Sequence, residues 1–279
     1  KANRRVVVLS GLIVACWPNL VAYSAVLLSE QLFLTLVCGT FAATLSFLVE
    51  VDERKRTWWL IASALSLGCA VAVRPQIVLW IPVVGLIMLA ARRPFRQTVT
   101  LLGALGVGVV VVLTPWTIRN ASLFDSFVPL SNNSGDNLCL GFNKDARGHF
   151  FFAPECESVP FYRTGPEAEL IRNEVNTRRA LSWIRHNVGE LPELTFWKFR
   201  WAYEHDYDGL RALEDYESDP WIPSGIRKVL RPTFTSYLIG VGLLALMGLG
   251  IAIRQLRVRH GPYRLPIALL LGMTFTNAI

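Results

Sequence analysis

Charge is scarce in this sequence: Asp, Glu, Lys and Arg make up 18% of its 279 residues, where a soluble domain carries about 25%. Other signatures are missing too. There is no Cys-X-X-Cys pair, no Gly-rich phosphate-binding loop and no Ser/His/Asp arrangement, which removes the common zinc, nucleotide and acyl-transfer readings. What fills the space is apolar: 52% of the residues are hydrophobic and the mean hydropathy is +0.38. The net charge of +7 does not indicate nucleic acid, because much of the basic charge sits in short segments beside apolar runs, where membrane topology is set. No cleavable signal peptide is visible. The chain begins at Lys1 and stops inside an apolar run at Ile279, so it reads as an interior or C-terminal fragment of a longer protein.

The apolar runs are long enough to cross a bilayer of roughly 30 Å. Spans are expected at about residues 6–21, 28–49, 57–73, 76–91, 98–116 and 234–253, with the start of a seventh thereafter. Gly103, Gly106 and Gly108 give the fifth span a small-residue face for close helix packing. Residues 117–233 are polar and too long for an ordinary connection. The fold class is therefore an all-α polytopic membrane protein with about seven transmembrane helices and one large extracytoplasmic region of mixed helix and loop. Its divisions are residues 1–116, 117–233 and 234–279. Four basic clusters, at Lys1/Arg4/Arg5, residues 54–56, residues 92–96 and residues 254–264, fall on one side of this alternating topology, which the positive-inside rule makes cytoplasmic. The large region is then outside.

Ionisable residues at membrane depth are costly and call for a function. Glu30, Arg74 and Arg119 each interrupt or border an apolar run near the outer interface. Together they suit a phosphate-bearing lipid headgroup, since a guanidinium pairs with phosphate oxygens through two parallel bonds. The competing reading is that the arginines snorkel to lipid phosphates while Glu30 pairs with one of them. Beyond Pro115-Trp116, where the fifth span is expected to end or bend, Asn132, Asn133, Asp136, Asn137 and Asn143 crowd a Gly-rich stretch. Amides there suit sugar hydroxyls, with Phe150–Phe152 as a stacking surface; a series of Asx turns accounts for the same composition.

Residues 167–187 have amphipathic helical spacing and, with residues 191–201, are expected to lie along the membrane or cap the bundle. The cluster Glu204-His205-Asp206-Tyr207-Asp208 has no specific ligand spacing, and no metal site is assigned. Cys16, Cys38 and Cys69 fall in spans as packing residues. Cys139 and Cys156 both fall in the outer region, an oxidising compartment, and are expected to form a disulfide.

Three ordered stretches resemble the GT-C membrane glycosyltransferases, which include protein O-mannosyltransferases and lipid A aminoarabinose transferases. They are the apolar–Ser–Glu segment at Ser29-Glu30, the junction Ala72-Val73-Arg74-Pro75, and Pro115-Trp116-Thr117-Ile118-Arg119-Asn120 followed by residues 127–135 and 141–143. The resemblance covers roughly residues 6–148. It implies an inverting transferase that moves a hexosyl or pentosyl unit from a polyprenyl-phosphate carrier to a lipid, glycan or protein acceptor. It implies phosphate roles for Arg74 and Arg119, an organising role for Glu30 and support of Arg119 by Asn120. No cofactor is fixed, although a divalent metal is compatible. The expected setting is the bacterial inner membrane. The family's acidic motif in the first outer loop, the expected catalytic base, has no counterpart here, so the catalytic residue is unassigned and the fragment is expected to be inactive alone. A transporter or flippase for lipid-linked or anionic substrates is the alternative; such proteins show helix breaks in repeated halves, and no repeat is present.

Overall fold

The structure is a computed structural model that describes residues 4–26, 29–149, 151–157, 165–215 and 222–258. All regular elements among them are helices. The chain divides into two compact units, one of residues 1–109 with 205–279, the other of residues 110–204.

The first unit opens with α1 (Arg4–Ala15) and α2 (Pro18–Ser24), bent by 57° at Trp17-Pro18. A single helix was expected here. Pro18 takes the first position of α2, and the residue before a proline is pushed out of helical conformation; Trp17 is accordingly extended (φ −64°, ψ 114°). The antiparallel pair α3 (Ser29–Val49) and α4 (Glu53–Val73) follows. Its three-residue connection is fixed by Asp52, which caps α4 by accepting from the Lys55 amide at 2.9 Å. Both helices have 21 residues, about 30 Å of rise, so the first turn of α3 faces the last turn of α4. Hydrogen bonds between Thr44 and Ser63 (2.7 Å) and from Ser66 to the Leu36 carbonyl (2.9 Å) tie the pair along its length. Such bonds satisfy polar groups that lipid would leave stranded.

Arg74 leaves α4 in extended conformation (φ −143°, ψ 108°), again because a proline follows. A 3₁₀ turn at Pro75–Leu79 leads into α5 (Trp80–Ala90). The long helix α6 (Phe95–Phe124) then runs nine residues past Pro115, so the proline does not end it. Trp80, Leu67, Ile77, Met88, Leu101 and Leu105 are fully buried in this unit. Of the three span glycines only Gly108 meets another helix: a Cβ there would fall 2.2 Å from the Ala64 carbonyl oxygen, whereas Gly103 and Gly106 face open space.

The second unit holds the end of α6 with α7 (Ser134–Gly141), α8 (Pro154–Glu157), α9 (Pro166–His186) and α10 (Leu191–Glu204). Here α7 and α9 pack closely at Gly135, whose amide donates to Asn173 Oδ1 at 2.6 Å. A disulfide joins Cys139 to Cys156, which cluster with the buried Ala153. Phe196, Phe199 and Tyr203 leave an exposed aromatic face on α10.

The chain returns to the first unit with α11 (Asp208–Asp215), which packs on α2, and α12 (Ser224–Val258). Among the described residues, α3, α4, α6 and α12 are long and apolar enough to cross a membrane, and the bent α1–α2 pair makes a fifth span if taken as one. Residues Pro75–Ala90 form a shorter apolar helix. The expected count of about seven thus stands at four or five, and the seventh run lies outside the described residues. Val6, Leu9, Leu243 and Leu246 are exposed, which in a membrane places them against lipid rather than water.

Candidate functional site

Glu30, in the first turn of α3, forms an ion pair with Arg74 at the end of α4. They are 44 residues apart and meet because the two helices have equal length. The Arg74 guanidinium also lies 5.8 Å from the centre of the Phe33 ring. The pair is incomplete: Arg74 Nε and Glu30 Oε2 are buried without a hydrogen-bond partner. A buried donor left unmade costs about 1–3 kcal/mol, and this pair leaves the Arg74 Nε donor unmade.

A second set of contacts fixes the surroundings. Asp206, just before α11, accepts from Trp17 Nε1 at 2.5 Å and Asn19 Nδ2 at 2.7 Å, and Asn19 Oδ1 accepts from the Gly209 amide at 2.7 Å. Gly209 has no room for a side chain, since a Cβ would lie 2.7 Å from the Asn19 carbonyl oxygen. At the break between α1 and α2 the Trp17 amide turns to the Val14 carbonyl (3.1 Å), and the Tyr237 hydroxyl of α12 takes the freed Ile13 carbonyl at 2.6 Å. Gln31, beside Glu30, donates to the Leu20 carbonyl of α2 at 2.5 Å. The bent α1–α2 pair is thus latched by α11 and α12 on one side and by α3 on the other. Tyr23 on α2 stands within electrostatic range of Asp208, Glu30, Asp206 and Arg74. Burial, the largest influence, pushes the Asp206 carboxyl above its usual range, while the Trp17 and Asn19 hydrogen bonds oppose it. The cluster that invited a metal reading is therefore largely a latch. His205 contacts Asp208 at 3.3 Å and stacks on Tyr207. Among the described residues no group of three His, Cys, Asp or Glu side chains is placed to hold a metal ion.

In the second unit, Arg119 lies 4.9 Å over the Trp116 ring and donates to Asn120 Oδ1 at 3.2 Å. Asn120 is buried and pins the following segment, donating to the carbonyls of Val128 (3.1 Å) and Leu130 (3.0 Å). Trp116 Nε1 and the Thr117 hydroxyl reinforce this through the carbonyls of Leu130 and Pro129. Of the loop candidates, Asp136 is engaged by Arg172 (2.6 Å) and Asn176 (2.7 Å). Asn143 is buried on the carbonyls of Cys139 and Leu140, and Asn133 Oδ1 accepts from Ser131 at 2.8 Å. Asn132 keeps a buried amide nitrogen without a partner. Asn137 lines a cavity of about 220 Å³ with Gly141, Gly148, His149 and Lys198. Lys198 Nζ sits 3.8 Å over the Phe142 ring, and burial lowers its pKa. Sequence reading passed over Lys198 and His149, because α10 showed only an amphipathic pattern and the cavity is made by the fold. Phe150 lies outside the described residues, and Phe152 is exposed.

Residues 1–118 match the family model described as dolichyl-phosphate-mannose-protein mannosyltransferase. The match supports a GT-C membrane glycosyltransferase. No curated protein and no solved structure matches it. The match contains the whole Glu30–Arg74 pair and the Trp17, Asn19 and Tyr23 end of the latch, but stops one residue before Arg119. In general, such a match supports a glycosyltransferase dependent on a polyprenyl-phosphate sugar, and nothing in it favours a transporter.

Proposed function

We propose that this transferase takes a hexosyl or pentosyl unit from a polyprenyl-phosphate carrier at the outer face of a bacterial inner membrane and delivers it to a lipid, glycan or protein acceptor. The observation that carries the reading is the incomplete Glu30–Arg74 pair, with Arg74 Nε buried and unpartnered at a helix end. In the reaction the acceptor hydroxyl loses its proton to a base as its oxygen attacks the anomeric carbon. The bond from that carbon to the phosphate oxygen breaks, and the lipid phosphate departs with the electron pair. Arg74 meets the charge that develops on it. Glu30, bound to Arg74, holds the guanidinium in place instead of acting as the base, which lies outside the residues named here. Arg119, held by Trp116 and Asn120, is a second phosphate candidate on its own unit. Asn132, Asn133 and Asn137 keep amide nitrogens able to meet sugar or acceptor.

Two readouts test this: retention of polyprenyl phosphate by native mass spectrometry, and transfer in the full-length protein. Arg74→Ala should lower transfer by about 10²-fold or more and weaken carrier retention, and Arg74→Lys should recover only part. Unchanged retention and transfer in Arg74→Ala would remove the phosphate role. Arg119→Ala is judged separately by the same pair of measurements.

A further inference from the structure

A second polar cavity lies at the end of the first unit remote from Glu30 and Arg74. It measures about 480 Å³ and is lined by, among others, Phe47, Glu53, Arg56, Arg96, Gln97 and Thr100. These residues come from the end of α3, the start of α4 and the start of α6. The length of α4 separates the cavity from Arg74 by about 30 Å, so it serves no part of the proposed transfer site.

Its chemistry is that of an anion site. The Arg56 guanidinium rests 4.9 Å over the ring of the buried Phe47, and its Nη1 donates to Glu53 Oε1 at 3.3 Å. Arg56 Nε, in contrast, is buried without a partner. Arg96 supplies a second positive charge, and Gln97 and Thr100 supply neutral donors from the same helix. The one acidic lining residue, Glu53, is largely exposed and already committed to Arg56, leaving a net positive cleft with an unfilled guanidinium edge. A guanidinium held against a ring has already lost much of its freedom, so a phosphate oxygen meets it at low entropic cost.

The surroundings decide what carries the phosphate. Trp58, Trp59 and Phe95 are exposed on the same helix ends, the arrangement of aromatic side chains at a membrane interface. The exposed apolar flanks of α4 and α6 begin there, with Ile61 and Val99, so an acyl chain leaving the cavity would run along protein already facing lipid. Basic pockets between spanning helices at the cytoplasmic interface suit anionic headgroups. We propose that this cleft binds the phosphate of an anionic membrane phospholipid, with Arg56 and Arg96 as its ligands.

The test uses the full chain in detergent, stripped of lipid and titrated with phosphatidylglycerol, phosphatidylcholine or inorganic phosphate, and read by native mass spectrometry. The wild type should retain phosphatidylglycerol over phosphatidylcholine. Arg56→Gln with Arg96→Gln should weaken that retention about tenfold or more. Arg92→Gln with Arg93→Gln, which removes the same charge from outside the cleft lining, should change it less than about twofold, and Glu53→Gln should tighten it by freeing Arg56. Equal losses in the two double variants would overturn the proposal in favour of diffuse surface charge. Equal retention of the two lipids would overturn it as well, and displacement of bound lipid by inorganic phosphate alone would assign the cleft to a soluble anion. If the cleft double variant fails to fold, Gln97→Glu places an opposing charge in the same cavity with both arginines kept and should give the same loss.

Discussion

Asp206 shows how one side chain can set the geometry of residues far from it in sequence. Its two donors, Trp17 and Asn19, are 189 and 187 positions away, and no local pattern announces such a contact. Glu30 and Arg74 were legible because a charge inside an apolar run is conspicuous. Asp206 was not, because it sits in a polar stretch where an acid needs no explanation. Its titration gives a test. Since burial raises the folded-state pKa, the native protein binds this proton more tightly than the unfolded chain does. The stability it contributes is complete below the unfolded value and is lost as pH rises through the folded one. Raising the pH from about 4 to 7 should therefore lower the melting temperature of the wild type more than that of Asp206→Asn, which cannot titrate. Parallel profiles would mean that the carboxyl does not carry the effect. Asp206→Ala strands the Trp17 and Asn19 donors and should cost about 1–3 kcal/mol at any pH.

Helices were easier to read than their breaks. Apolar length located α3, α4, α6 and α12, and Arg74-Pro75 marked the end of α4. Two prolines play different parts. Pro18 stands at the start of a helix and forces a bend, while Pro115 is absorbed within α6, where the hydroxyls of Thr114 and Thr117 bond back to carbonyls one turn earlier. The glycine face of α6 was legible as a pattern but not in its division of labour, since only Gly108 touches α4. Gly108→Ala should destabilise by about 1–3 kcal/mol through overpacking against Ala64, whereas Gly103→Ala and Gly106→Ala should be neutral or slightly stabilising. Thermal unfolding of the three variants decides this, and a harmless Gly108→Ala would refute the close approach. In the second unit, α7 and α8 are joined by the disulfide across a separation of 17 residues. Peptide mapping without reduction should find Cys139 linked to Cys156 with Cys16, Cys38 and Cys69 free. Cys139→Ser with Cys156→Ser should cost about 3 kcal/mol.

For the molecule as a whole, hydropathy gave the membrane class, and charge gave an orientation that can be measured. Lys55 and Lys144 are both exposed, one in a basic cluster and one in the second unit. Lys144→Cys should react with an impermeant thiol reagent on intact cells, and Lys55→Cys only after permeabilisation. The reverse pattern would invert the topology and move the proposed transfer to the other face. The discontinuous first unit was beyond sequence reading, because composition changes at residue 117 whereas the packing boundaries fall at residues 109 and 204. That discontinuity has a consequence in time. The hydrogen bond from Trp17 to Asp206 cannot form until the ribosome has added the 189 residues that follow Trp17 up to Asp206, and at about 5–20 residues per second that takes roughly 10–40 s. For that interval the bent α1–α2 pair lacks its partners on α11 and α12, and the Ile13 carbonyl lacks the Tyr237 hydroxyl that receives it in the finished protein. An insertion factor that shelters α1 and α2 while the second unit is being made would act during this wait, and a slow codon run between residues 110 and 204 would lengthen it.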